Sequence, residues 1–127
     1  MLEGYFLEKQ VELSVPISGD IRTLLSTVSY FSPSYEEIFQ APIGLNTDLG
    51  SIPPWLQGIF PKDGKAMFAY ILHDHLYKSG ILTRKEADDL LEEAMKVLGV
   101  SWWRRRAVRE GLRVGGWVAW NKHRKVK

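Results

Sequence analysis

Ala69-Tyr70-Ile71-Leu72-His73-Asp74-His75-Leu76-Tyr77 is the stretch around which the rest of the chain is organised. It sets an ionisable pair, His73 and Asp74, inside an apolar run that already includes Ala66, Met67 and Phe68. Burying such a pair costs several kcal/mol unless it finds partners. The partners must come from elsewhere, and two acidic residues stand out: Asp48, in Asn46-Thr47-Asp48-Leu49-Gly50-Ser51, and Asp88, in Arg84-Lys85-Glu86-Ala87-Asp88-Asp89. One site built by three short segments is the expectation.

Working outward, Lys65 to Lys78 reads as a helix closed by Ser79-Gly80, glycine being the usual residue just past a helix end. Thr83 with Glu86 three residues on forms a capping box for the next helix. That helix carries apolar residues at Ala87, Leu90, Leu91, Ala94, Met95 and Leu98, an amphipathic period, and stops at Gly99. Ser101 opens a last helix from Trp102 to about Gly115, followed by Trp117 to Trp120 and a solvated basic end. Upstream, Ser51-Ile52-Pro53-Pro54-Trp55 resembles a helix start, with serine at the cap and proline in the first turn. Gly58 would end it, and Pro61 to Gly64 would form a loop.

The first part of the chain is different. Val11 to Val15 alternates as a half-buried strand stopped by Pro16. Gly19-Asp20 reads as a turn, and Ile21 to Phe31 is β-branched enough for one or two strands. Ser32-Pro33-Ser34 interrupts the pattern, and Tyr35 to Gln40 reads as a strand entering Ala41-Pro42. The expected class is therefore α+β. N-terminal strands precede a C-terminal bundle of three to four helices, whose central two form an antiparallel pair carrying the site. A single domain, 1–127, divides into a β-rich part (1–47), a helical part (48–120) and a basic tail (121–127).

The totals narrow the functional classes. At 127 residues with no cysteine, disulfides and thiolate metal sites are excluded. The first ten residues carry Glu3 and Glu8 and no basic cluster, so no secretory signal is expected, and the longest apolar runs fall well short of the roughly 20 residues that a membrane span needs. The net charge of +2 hides an asymmetry: from Arg104 onward nine of the 17 Lys/Arg stand against one acid, Glu110. A basic end on an acidic body suggests an anionic partner.

On a helix, His73 shares a face with Ala66, Ala69, Tyr70 and Tyr77, while Asp74 lies about 100° around it. Across a short connection, Asp88 sits at the edge of the next helix's apolar stripe and Asp89 is turned outward. Asp88 is thus placed to meet His73, and a carboxylate on one imidazole nitrogen leaves the other as a base. Tyr70 and Tyr77 can donate to the same carboxylate. Asp48 falls in a turn that exposes backbone carbonyls; Asp48, Asp74, a carbonyl near Leu49 and water would make a hard-oxygen site, suited to Ca²⁺ rather than Zn²⁺.

Two resemblances follow from these residues. Pro42 to Pro53, His73-Asp74-His75-Leu76-Tyr77, Arg84 to Asp88 and Ala94 to Val100 together resemble the phage-borne family catalogued as domain of unknown function 1353, over roughly residues 39 to 118. That resemblance implies an origin in a phage or prophage, and hence the host cytoplasm or the virion, but no activity. His73-Asp74-x-x-Tyr77 looks like the active-site helix of phospholipases A₂, whose small prokaryotic members also place a Thr-Asp turn before it, as Thr47-Asp48 stands here. By that likeness His73 is the base, Asp74 and Asp48 hold calcium with a Leu49 carbonyl, and Asp88 orients the histidine, with Tyr77 beside it. The reaction would be hydrolysis of lipid esters at an anionic phospholipid surface, approached through Arg104 to Arg106 and Trp102, Trp103, Trp117 and Trp120.

Plainer readings stand beside these. Asp88 can serve a helix N-terminus, Asp48 an Asx-turn, and the tryptophans a core or a subunit interface. A structural or assembly role among other phage proteins, with a structural or vestigial metal site, is the alternative function. Nucleic acid is disfavoured as partner of the basic end, because no readable binding motif accompanies it. A metal-dependent phosphohydrolase of the His-Asp superfamily is disfavoured too, because no histidine precedes His73.

Overall fold

The computed structural model describes residues 3–15, 21–48 and 65–125, with backbone alone at 48, 65–66, 114, 116–119, 122–123 and 125. Among the described residues, five strands precede three helices: β1 (Tyr5–Phe6), β2 (Ile21–Thr23), β3 (Val28–Ser32), β4 (Glu37–Ala41), β5 (Asn46–Asp48), then α1 (Lys65–Ser79), α2 (Arg84–Val97) and α3 (Trp102–Lys125). The class is α+β. No helix among the described residues is long and apolar enough to cross a membrane.

β3 and β4 form a hairpin in the register Val28↔Ala41, Tyr30↔Phe39, Ser32↔Glu37, and β1 adds to the other edge of β3 in a three-stranded antiparallel sheet. Val28, Tyr30, Phe39 and Ala41 lie on one face, as a two-residue period requires, and all four are buried. That face packs on α1. Its outer side carries Tyr5 stacked on Phe31 at 5.3 Å. The hairpin turn is closed by Glu36, whose φ is +55°.

β2 and β5 form a separate two-stranded antiparallel sheet, with Ile21 opposite Asp48 and Thr23 opposite Asn46. The Asn46-Thr47-Asp48 segment is thus a strand, not the turn its composition suggests. Its ladder continues through Leu24 N–H to the Leu45 carbonyl at 2.8 Å, and the Thr23 hydroxyl donates to Asn46 Oδ1 at 2.8 Å. The expected strand over Val11 to Val15 contracts to one bridge, Leu13↔Leu24. There, serine side chains replace ladder bonds: Ser14 Oγ accepts from Thr23 N–H at 2.8 Å and Ser26 Oγ from Glu12 N–H at 3.2 Å. The expected helix over Ser51 to Gly58 and the Pro61–Gly64 loop lie outside the described residues, as does the Gly19-Asp20 turn.

α1 and α2 form the antiparallel pair. The capping box at Thr83 is complete: its hydroxyl accepts from Glu86 N–H at 3.1 Å and Glu86 accepts from Thr83 N–H at 2.9 Å. α2 buries Ala87, Leu90, Leu91, Ala94 and Met95 against Ala69, Leu72, Leu76 and Tyr77 of α1, with Tyr30 and Phe39 of the sheet completing the core.

α3 runs on to Lys125, through the segment expected to be a free basic tail. Glycines inside a helix cost about 1 kcal/mol each relative to alanine, and packing offsets this. Arg84 donates to the carbonyls of Leu112 and Arg113 at 2.5 and 3.2 Å. Farther on, Arg124 lies over the Trp120 ring at 4.3 Å and donates to the carbonyls of Tyr77 and Lys78 at 2.6 and 3.1 Å. Those carbonyls are among the last of α1, which have no partner within their own helix.

Candidate functional site

The α1–α2 seam carries the polar cluster. His73 is 7% exposed, on the face of α1 that meets α2. Its Nε2 lies 2.8 Å from Asp88 Oδ1, one turn into α2. The Tyr77 hydroxyl, a turn along α1, donates to the same oxygen at 2.6 Å, and the His73 and Tyr77 rings lie 4.2 Å apart. Asp88 Oδ1 therefore gathers two side-chain groups from one face of α1. A neutral imidazole with Nε2–H on this carboxylate has Nδ1 as its basic nitrogen.

The surroundings of Tyr77 are equally defined. Burial, and then the Asp88 carboxylate that accepts its proton, push the phenol well above its usual range, while the Arg84 guanidinium acts in the opposite direction. Tyr77 is therefore a fixed hydrogen-bond donor at neutral pH. Its ring meets Trp120 edge-on at 5.4 Å, so α3 closes the cluster from the far side. Asp89 points away, as its helical position predicts, to Lys85 at 3.0 Å and Arg109 at 2.5 Å.

Asp74 stands on a neighbouring face of α1, half-buried, with Oδ2 inaccessible and lacking a hydrogen-bond donor. The Lys78 ammonium, one turn along, is 3.2 Å from that oxygen, an ion-pair distance without hydrogen-bond alignment. Lys78 Nζ also donates to the backbone carbonyl of Asn46. One ammonium thus ties Asp74 on α1 to β5, two residues before Asp48 in the chain. The described part of that point offers one carboxylate and one backbone carbonyl, both facing the ammonium, and among the described residues no group of three or more His, Asp or Glu is placed to hold a metal ion. The side chain of Asp48 and all of Leu49 lie outside the described residues. His75 is half-buried; desolvation lowers its pKa, with the Asp74 charge opposing.

The structure therefore brings His73, Tyr77 and Asp88 into contact, and sets Asp74 beside the strand that leads to Asp48. Lys78 escaped the sequence reading. Its i,i+4 spacing to Asp74 is a visible signal, but its reach to Asn46 is not. Arg124 also escaped: read as part of a solvated basic end, it reaches the end of α1, whereas Trp120, for which a core position was one of the readings, packs on Tyr77.

Comparison with known proteins returned one finding. The family described as protein of unknown function (DUF1353) matches residues 22–109, more than half of the chain. The match spans the hairpin, β5, α1, α2 and the first turns of α3, and with them His73, Asp74, Tyr77, Lys78 and Asp88. No curated protein and no solved structure matched. The chain belongs to the DUF1353 family.

Proposed function

We propose that this chain is a phage-encoded, calcium-dependent hydrolase of lipid esters, with His73 as general base. The observation that carries the reading is the buried His73 imidazole held at 2.8 Å by Asp88 across two helices, the arrangement a positioned base requires. In the ester hydrolysis, Nδ1 of His73 takes a proton from water as the water oxygen attacks the ester carbonyl, and the imidazolium returns that proton to the departing alkoxide as the ester C–O bond breaks, releasing fatty acid and alcohol. Asp88 orients the ring through Nε2 and steadies the imidazolium that forms. Tyr77 holds the carboxylate in place. General-base help of this kind contributes typically ~10²–10⁴-fold. Calcium, when bound, would supply electrostatic stabilisation of negative charge developing on the ester oxygen, and Asp74, with Asp48 and a Leu49 carbonyl, are the residues that would hold it.

An anionic phospholipid surface is the proposed substrate phase. Trp102 and Trp103 are 68% and 52% exposed at the start of α3, Arg104 lies 5.2 Å over the Trp103 ring, and Arg106 is exposed beside them. Exposed indole next to guanidinium suits a headgroup boundary. Residence in the host cytoplasm or the virion belongs to the same reading and rests on the sequence resemblance.

A second reading has an observation of its own. The His73 side chain is only 8% exposed, and the His73–Asp88–Tyr77 cluster joins α1 to α2, which suits a non-enzymatic virion or assembly component equally well. One assay separates the two: fatty-acid release from anionic phospholipid vesicles by wild type and His73→Ala, with calcium or with chelator. The hydrolase reading expects calcium-dependent release that falls at least ~10²-fold in His73→Ala. Absence of release from the folded wild-type protein, or equal release by the variant, refutes it.

A further inference from the structure

We propose that the end of α3 beyond Gly115–Gly116 is a latch: Trp120 and Arg124 keep His73 covered, and an anionic phospholipid surface releases them by drawing Arg124 away. As regulation of the hydrolytic site this rests on the hydrolase reading, but the opening itself is read without any ester being cleaved.

A general base has to meet water and substrate, and the His73 side chain is 8% exposed. The structure is therefore closed, and one of the elements around the seam has to move. α1 and α2 are joined by buried apolar residues, among them Leu72, Leu76, Leu90 and Leu91, and cannot part without opening the core. α3 is attached differently along its length. Its first half buries Val108 and pairs Arg109 with Asp89 and Glu92 of α2. Beyond residue 115, the described side chains that hold it are Trp120 and Arg124. Trp120 stands edge-on to Tyr77 at 5.4 Å, and Arg124 lies over Trp120 and donates to the carbonyls of Tyr77 and Lys78.

The chain between these two attachments is built to give way. Gly115 and Gly116 are adjacent inside a 24-residue helix, where each weakens the helix relative to alanine. Packing does not demand the first of them, since a Cβ at Gly115 would meet nothing within 4 Å. Just upstream, Arg84 donates to the carbonyls of Leu112 and Arg113, which in an α-helix accept from the amides of residues 116 and 117. Those carbonyls become orphans in a helix that ends at the glycine pair, and Arg84 already serves them. α3 can therefore stop there with its new end satisfied.

The trigger follows from what Arg124 holds. Its partners are neutral carbonyls and an indole. From Asn121 onward the sequence carries Lys122, Arg124, Lys125 and Lys127 and no acid. A guanidinium pairs more strongly with phosphate, which is charged and accepts in bidentate fashion, than with carbonyls. A phosphate-bearing surface thus competes for Arg124 and attracts the basic segment around it.

The test is labelling of histidine by diethyl pyrocarbonate, read by mass spectrometry, with His75 as internal reference. His75 lies about 200° around α1 from His73, so an unfolded protein labels both together. Phosphatidylglycerol vesicles should raise His73 labelling relative to His75 at least about tenfold, as loss of a hydrogen bond to a charged group requires. Phosphatidylcholine vesicles and free inorganic phosphate should not. Arg124→Ala should show the same rise without vesicles. Gly115→Ala, which fits the helix without a clash, should lower His73 labelling about fivefold, the helix preference for alanine. The proposal is overturned if wild-type His73 labels alike on both vesicles or responds equally to free phosphate. It is overturned too if Gly115→Ala leaves labelling unchanged, or if His73 does not gain on His75 in Arg124→Ala. A protein that passes these tests yet releases no fatty acid would refute the hydrolase reading and leave the latch standing. Calcium-dependent release without the labelling changes would do the reverse.

Discussion

Replacing Asp88 with alanine tests the physical claim on which the site depends, that one carboxylate oxygen satisfies two buried donors at once. In the native protein Oδ1 of Asp88 receives the Tyr77 hydroxyl at 2.6 Å and the His73 imidazole at 2.8 Å. Their surroundings are nearly dry, with side-chain exposures of 8% for His73 and 13% for Asp88. Alanine removes the acceptor and leaves both donors. A buried donor left without a partner costs about 1–3 kcal/mol, so Asp88→Ala should lose about 2–5 kcal/mol, a large part of a domain's usual ~5–15 kcal/mol. For a chain of this size that is a fall in Tm on the order of 8–20 °C. Asp88→Asn keeps an oxygen in place and should lose only about 1–2 kcal/mol, the charge-assisted part of two hydrogen bonds. Urea unfolding of wild type, both variants, Tyr77→Phe and Asp88→Ala/Tyr77→Phe gives a double-mutant cycle, in which Asp88 and Tyr77 should couple by about 1 kcal/mol. The argument fails if Asp88→Ala lies within about 0.5 kcal/mol of wild type, the range of ordinary surface changes, or if the coupling is zero.

Two further expectations concern the body that supports the site. The Glu8 carboxyl is raised by partial burial, but the Ser29 N–H at 2.6 Å, the Ser29 hydroxyl at 2.7 Å and the Thr27 hydroxyl at 2.9 Å outweigh that and hold it below its usual range. A carboxyl with a lowered folded-state pKa stabilises the fold above its unfolded pKa of about 4.3 and loses that contribution as pH falls through the lowered value. Glu8→Gln should therefore be less stable than wild type at pH 7, and the gap should narrow below about pH 4 in urea midpoints measured across pH. Gly80 and Gly99 both have positive φ, +68° and +85°, but an added Cβ at Gly80 would stand 2.3 Å from Arg124 Nη1, whereas Gly99 faces open space. Alanine at either should cost about 1–2 kcal/mol for the left-handed backbone. Gly80→Ala should cost more because it displaces Arg124 from the end of α1, and an Arg124→Ala background should remove that excess in the same unfolding assay.

How much of this was legible beforehand differs between elements. α2 and its boundaries could be read because Thr83, Glu86 and Gly99 act within a few residues of themselves, through bonds and dihedrals that local sequence dictates. Strands on both sides of Pro33 were legible from β-branched composition, but their bounds and their pairing into the β3–β4 hairpin were not. The meeting of His73 with Asp88 could also be anticipated. Both lie on apolar faces of helices joined by a short connection, so burying those faces brings the two side chains together. Asn46-Thr47-Asp48 was not legible. Its residues are those of turns, and only pairing with Ile21 to Thr23 makes it a strand, which is tertiary context overriding composition.

Sequence alone, then, determined α1 and α2, the Thr83 cap and which faces carry the imidazole and its carboxylate, because periodicity and capping act over one or two turns. Tertiary structure alone decided that the Lys78 ammonium spans from Asp74 to β5, and that Arg124 closes over the end of α1 instead of trailing into solvent. Those contacts join residues 32 to 47 positions apart. Nothing in the local pattern of a lysine or an arginine shows which distant carbonyl its long, flexible side chain will reach once the chain has packed.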